Sequence, residues 1–87
     1  MSKKLEWEID VEEATHKVAL EYSKLTGKAI VNIDGDEFDI SAGFMKLAGS
    51  SQVFRLGDKQ AILDFPKKGE PDVVVDGVYV HSGKEYN

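Results

Sequence analysis

The chain repeatedly places an Asp-Gly or Gly-Asp pair between two short runs of alternating apolar residues. In residues 27–40, apolar side chains recur at every second position on both sides of Asp34-Gly35. A two-residue type I′ turn requires positive φ at both central residues, and Asp-Gly tolerates this conformation well. The same arrangement surrounds Asp76-Gly77, and Gly57-Asp58 separates a third pair of runs. These turns predict a chain built from consecutive β-hairpins.

The segment before the first of these hairpins begins with another alternating run. In residues 4–11 one side carries apolar residues and the other carries charged ones; the apolar set is Leu5, Trp7, Ile9 and Val11. This period of two predicts a strand with one buried and one solvated face. Trp7 is therefore expected in the core rather than on a binding platform.

Residues 10–27 fit two secondary structures. Asp10 with Glu13 resembles a capping box, apolar residues recur at helical spacing over about 11–26, and Gly27 suits a helix end. A strand over 16–22 would instead place His16, Val18, Leu20 and Tyr22 on one face. The helix would leave Leu20 on its polar side. Periodicity alone leaves both interpretations open.

The remainder of the chain reads as short strands separated by turn residues. The predicted strands span 44–47, 52–56, 59–65, 72–75 and 78–81, with more pairing through the tail to Tyr86. The two prolines of segment 66–71 lack amide donors, so the ladder is expected to stop there. We predict an all-β fold, an antiparallel β-sandwich of eight or nine short strands in a single domain over residues 1–87. The alternative is an α+β fold with a helix at about 11–26.

Composition limits the compartments and partners that suit such a domain. The chain has 87 residues, no cysteine and a net charge of −5, with 11 basic against 16 acidic residues. Nucleic-acid binding draws on many basic residues, so no nucleic-acid partner is expected. No run approaches the roughly 20 apolar residues of a spanning helix, and the polar start predicts no signal peptide and no membrane association. The absence of disulfides favours a cytoplasmic location.

No pattern in the sequence predicts chemistry. The acidic run after Asp34 lacks the ligand spacing of a calcium-binding EF-hand loop. His16 and His81 are too few and too far apart for a recognisable metal site. Three serines, Ser41, Ser50 and Ser51, could in principle pair with His16, but no nucleophile elbow or phosphate-binding loop surrounds them. We therefore predict a non-enzyme with no catalytic residues, no cofactor-binding residues, no metal ligands and no cofactor.

Aromatic side chains provide the remaining candidates for recognition. If Val78 and Val80 face the core, Tyr79 points outward, where tyrosine is favoured at interfaces. A platform for sugars or peptides could be lined by Trp7, Tyr22, Tyr79 and Tyr86. A carbohydrate-binding accessory module would need at least two coplanar exposed rings. Burial of Trp7, Tyr22 and Phe54 would remove that platform.

The order and spacing of several short elements resemble one domain of the Fas apoptotic inhibitory molecule family. The match runs from about Trp7 to Tyr86 and is carried by Trp7, His16-Lys17-Val18 with Glu21, Thr26-Gly27-Lys28, Val31 with Ile33-Asp34-Gly35 and Glu37, the run 44–49, Phe54 with Leu56-Gly57, and the hairpin 73–80. Members of that family contain two tandem β-sandwich domains without catalytic machinery. The resemblance implies a strand over 16–22.

The same resemblance implies a function of protein binding. The family is associated with protection from death-receptor signalling and with binding other proteins, including unfolded ones, but no short motif carries these activities. We therefore expect a non-catalytic protein-interaction module whose partner is another protein or, in a homodimer, a second copy. The alternative is a ligand- or carbohydrate-binding accessory β-sandwich.

Overall fold

The computed structural model describes residues 2–86, which form two four-stranded antiparallel sheets. The first sheet has the order β1–β2–β3–β4, with strands at Lys3–Val11, Ala14–Ser23, Lys28–Ile33 and Asp36–Asp39. The second has the order β5–β6–β7–β8, with strands at Ser51–Leu56, Lys59–Asp64, Asp72–Val75 and Val78–Tyr79. Within each sheet, every strand pairs with its sequence neighbours. The all-β prediction is confirmed, with eight strands.

The ambiguous second segment is a strand, so the helix considered over about 11–26 is not formed. β2 pairs with β1 along its whole length and with β3 from Val18 to Ser23. Leu20, which the helix would have left on its polar side, is 1% exposed. The sequence pattern of this segment is compatible with a helix and with a strand. The strand forms because β1 and β3 supply backbone hydrogen bonds and apolar contacts on its two sides.

The predicted turns adopt the backbone conformations that their residues favour. At the β3–β4 turn, Asp34 and Gly35 have φ values of 52° and 95°, and at the β7–β8 turn, Asp76 and Gly77 have 54° and 75°. These pairs of positive angles are those of a type I′ turn. The β5–β6 turn has a positive φ only at its first central residue, Gly57, as a type II′ turn requires.

Two expectations near the chain's irregular segments were wrong. Residues 44–47 form turns rather than a strand, because Met45 adopts a left-handed φ of 56°, which breaks the strand conformation. β8 contains only Val78 and Tyr79, and Val78 is 39% exposed instead of facing the core. Val80 does pack against the core, and the tail contributes one isolated bridge between Val78 and Glu85.

The core lies between the two sheets and takes residues from both. It is composed of the buried side chains Trp7, Ile9, Val11, Val18, Leu20, Tyr22, Ala29, Val31, Leu47, Leu56, Ala61, Leu63, Phe65 and Val73. Trp7 is 2% exposed, which confirms its predicted place in the core. No helix among residues 2–86 is long and apolar enough to cross a membrane.

The connections between strands gather at two ends of the sandwich. One end, which we call the turn end, contains residues 12–14, 34–36, 57–59 and 76–77. At this end Gly57 lies beside His16, since a Cβ on Gly57 would be 3.7 Å from the imidazole Nε2. The opposite end, which we call the loop end, contains residues 24–28, 41–50 and 66–70. There, the Nζ of Lys24 donates to the carbonyl oxygens of Pro66 (3.1 Å) and Gly69 (2.6 Å).

Candidate interaction surface

The two histidines are held in separate structural contacts. The Nδ1 of His16 lies 2.6 Å from the Oδ2 of Asp34, whose Oδ1 accepts a hydrogen bond from the Lys17 amide at 2.9 Å. The His16 hydrogen bond, followed by the Lys17 amide, lowers the pKa of the Asp34 carboxyl. This contact fastens the β3–β4 turn to β2. His16 is half-buried and hydrogen-bonded in this contact.

A second polar cluster, centred on Asp72, was not foreseen from the sequence. The carboxylate is 8% exposed and accepts hydrogen bonds from the Trp7 indole Nε1 at 3.0 Å and the Val73 amide at 2.8 Å. It also accepts from the amides of His81 and Ser82, each at 3.1 Å to the nearer oxygen. Asp72 thus ties β1 and the C-terminal segment to the second sheet.

His81 completes this cluster at the edge of the first sheet. Its ring stacks on Trp7, with centroids 5.1 Å apart and planes inclined by 22°. Its Nε2 lies 3.0 Å from the Glu6 carbonyl oxygen, which can only accept, so this nitrogen carries the proton. The ring therefore caps the open edge of β1 at one point, a common protection against edge-to-edge pairing.

The serines considered for catalysis have structural partners. The Ser41 hydroxyl accepts from the Ala29 amide at 2.9 Å, and the Ser50 hydroxyl donates to the Leu47 carbonyl at 2.5 Å. The imidazole of His16 contacts Asp34 and no serine. Across residues 2–86, no group of three or more His, Cys, Asp or Glu side chains is arranged to hold a metal ion.

The aromatic side chains do not form the flat platform that a carbohydrate module needs. Trp7 and Tyr22 are buried, at 2% and 4% exposure, and Phe54 is half-buried against the core. Tyr79 is half-buried rather than exposed, and its ring meets Tyr86 edge-on at 76°.

Tyr79 instead has a fixed partner. Its hydroxyl donates to the Asp64 carboxylate at 2.7 Å. This hydrogen bond, together with burial, raises the pKa of Tyr79 to about 12. The contact spans from β8 to β6 and therefore braces the short edge strand of the second sheet.

Three of the exposed large apolar side chains lie on adjoining loops at the loop end. Phe44, Met45 and Leu25 are 67%, 63% and 57% exposed. The Met45 amide donates to the Leu25 carbonyl at 3.1 Å, which joins the two loops that carry them. We call these three residues the apolar patch. Large side chains exposed together on a small soluble domain mark candidate interaction sites.

The loops below the apolar patch are held in one arrangement. The Ala42 amide donates to the Gly27 carbonyl at 2.7 Å, and Leu47, 1% exposed, anchors the longer loop in the core. Gly27 has a φ of 81°, and a Cβ there would overlap the carbonyl oxygens of Ala42 and Gly43. The close approach of the two loops therefore requires glycine at this position. A patch on such a support binds without first being ordered.

A second concave surface separates the open edges of the two sheets. This edge groove has a volume of about 510 Å³ and runs between β4 and β5. Phe38 lines it and is 50% exposed, and Val53 lines it and is 59% exposed. β4 is a short and wholly exposed edge strand with three acidic residues, Asp36, Glu37 and Asp39. Such charges discourage pairing along a free edge.

The fold and these surfaces define a small antiparallel β-sandwich with an exposed apolar patch and, within residues 2–86, no assembled metal cluster. The family model described as Fas apoptotic inhibitory molecule matches residues 3–84. The chain therefore belongs to the Fas apoptotic inhibitory molecule family, as the spacing of its turns and strands predicted. No curated protein and no solved structure matches the chain.

Proposed function

We propose that this chain is a non-catalytic protein-interaction module that binds its partner through the apolar patch. The observation that carries the proposal is the exposure of Leu25, Phe44 and Met45 on loops that are already fixed. Fully burying one such side chain gains about 1.5–3 kcal/mol. Covering the exposed parts of all three would therefore contribute roughly 3–5 kcal/mol to binding. Membership of the family supports a binding role.

The described side chains support a binding role better than the alternatives. The serines and His16 have separate structural partners, which gives no support to hydrolysis. The buried rings of Trp7 and Tyr22 give no support to carbohydrate stacking. The lack of cysteine suits a reducing compartment, and we propose that the module acts in the cytoplasm.

Site-specific photocrosslinking tests this function. A photoreactive phenylalanine analogue placed at Phe44 crosslinks to proteins that contact the apolar patch. The matched control is the same analogue at Phe38, which crosslinks to proteins that contact the edge groove. In extract from the native cell, we expect discrete adducts at position 44 that unlabelled wild-type protein displaces. Competitor protein carrying Phe44→Ser should displace them roughly 5- to 30-fold less effectively, since it lacks about 1–2 kcal/mol of apolar burial.

The same experiment can contradict the proposal. Adducts that form equally at positions 44 and 38, or that Phe44→Ser competes away as well as wild type does, would show that the apolar patch is not the contact surface. Circular dichroism of both labelled proteins verifies that each remains folded.

A further inference from the structure

Opposite charges collect at the two ends of the sandwich. The loop end, residues 24–28, 41–50 and 66–70, holds five lysines against one glutamate, a net of +4 in a chain whose total is −5. The turn end, residues 12–14, 34–36, 57–59 and 76–77, holds six acids against one lysine, a net of −5. The apolar patch therefore lies on connections that are net basic, although the protein as a whole is acidic.

We infer that the loop end binds an acidic segment of a partner protein in which aspartate or glutamate residues alternate with apolar ones. This inference rests on the proposed function. The lysines at the loop end are Lys24, Lys28, Lys46, Lys67 and Lys68. All but Lys24 are exposed, and Lys24 is half-buried with its ammonium group held by the 66–70 loop. An apolar centre with a charged rim is the usual arrangement of a protein interface.

Neither end of a second copy of the chain matches this surface. Two loop ends facing one another would bring like charges together, five lysines from each copy, around the apolar patch. A turn end would supply the opposite charge, but among residues 12–14, 34–36, 57–59 and 76–77 it offers no large exposed apolar side chain to cover Phe44 and Met45. The occupant must therefore provide acidic and apolar groups together.

The shape of the loop end favours a chain segment over a flat lipid surface. A groove of about 530 Å³ lies beside Leu25 and is lined also by Lys3, Lys24, Tyr22 and Glu70. A segment that contacts the apolar patch can continue into this groove, whereas a bilayer cannot follow it.

Fluorescence anisotropy with defined peptides tests the inference. The probe is a fluorescein-labelled peptide of about eight residues that alternates acidic residues with phenylalanine or leucine. One control peptide replaces each acidic residue with lysine, and another replaces each apolar residue with serine. We expect binding of the first peptide only, weakened several-fold when salt rises from about 0.05 M to about 0.3 M because the charges are then screened.

Charge reversal locates the binding site. Lys46→Glu with Lys67→Glu should weaken peptide binding by about tenfold or more at low salt, since attraction becomes repulsion. The matched control is Lys4→Glu with Lys17→Glu, which makes the same change in total charge on exposed positions of β1 and β2, outside the loop end. The control should leave the affinity unchanged.

Each contrary outcome has a distinct meaning. If adducts form at position 44 but the acidic peptide binds no better than the basic one, the inference fails while the proposed function stands. If adducts also fail to form there, both fail. Sedimentation of the protein with vesicles containing about one-third anionic lipid, but not with neutral vesicles, would overturn the inference in favour of a membrane surface. Equal losses from both lysine pairs would overturn it as well.

Discussion

Removing the Asp72 carboxylate should be among the most destabilising single changes in this protein. In Asp72→Ala, four N–H donors lose their acceptor, but the consequences differ among them. The amides of His81 and Ser82 belong to exposed residues and can be hydrated. The Trp7 indole and the Val73 amide belong to residues that are 2% and 0% exposed, so both donors are shielded from solvent in the folded protein.

The magnitude follows from these two buried donors. A buried donor left without a partner costs about 1–3 kcal/mol, so the two together cost roughly 2–6 kcal/mol. The free energy of unfolding of a small domain is about 5–15 kcal/mol in total, so this loss would remove a large part of it. Asp72→Asn keeps one acceptor oxygen of the same shape and should lose less.

Urea unfolding followed by circular dichroism measures the effect. The matched control is Asp64→Ala, because Asp64 lies directly opposite Asp72 in the β6–β7 pair and holds only the Tyr79 hydroxyl. Its lost hydrogen bond costs about 1 kcal/mol, and relief of repulsion between opposed carboxylates offsets part of that. If Asp72→Ala destabilises the protein no more than Asp64→Ala does, the indole and the amide find other partners and our account of the cluster is wrong.

Three further changes test contacts that position the two ends of the sandwich. The His16 contact lowers the pKa of the Asp34 carboxyl, so its stabilisation is present above the ordinary pKa of about 4 and is lost below it. Thermal melts of Asp34→Asn should therefore depend less on pH below about 4 than wild type does, and parallel curves would contradict this. Because the pKa of Tyr79 is raised to about 12 by the hydrogen bond to its carboxylate partner, stability should fall as the pH rises above about 10. Tyr79→Phe should flatten that fall in alkaline urea titrations, and an unchanged profile would count against the assignment. Gly27→Ala should lower the free energy of unfolding in urea by more than about 2 kcal/mol, because its Cβ adds overlap with the adjoining loop to the strain of a positive φ. Gly35→Ala also has a positive φ but open space around it, and should lower the free energy of unfolding by about 1–2 kcal/mol. Equal losses would show that the loop moves aside.

The sequence by itself determined the β-hairpin architecture. Asp34-Gly35, Asp76-Gly77 and Gly57 adopt the positive φ angles that their turn types require, and this preference is local. The alternation around Trp7 likewise identified β1 and its buried face. Local conformation and period-two patterning depend on neighbours in the chain, so both are readable from the sequence.

The tertiary structure decided what depends on distant partners. β2 became a strand because β1 and β3 supply hydrogen bonds on both of its sides. Asp72 looked like an ordinary strand residue, since its donors Trp7 and His81 are remote in sequence or lie beyond a turn.

The candidate binding surface also belongs to the tertiary structure. Leu25 and Phe44 are separated by a complete hairpin, and their lysine neighbours are spread over three connections. These connections meet because each hairpin reverses the chain, which returns every second connection to the same end of its sheet. Only the packing of the two sheets on a shared core placed their basic loops side by side and their acidic turns at the opposite end.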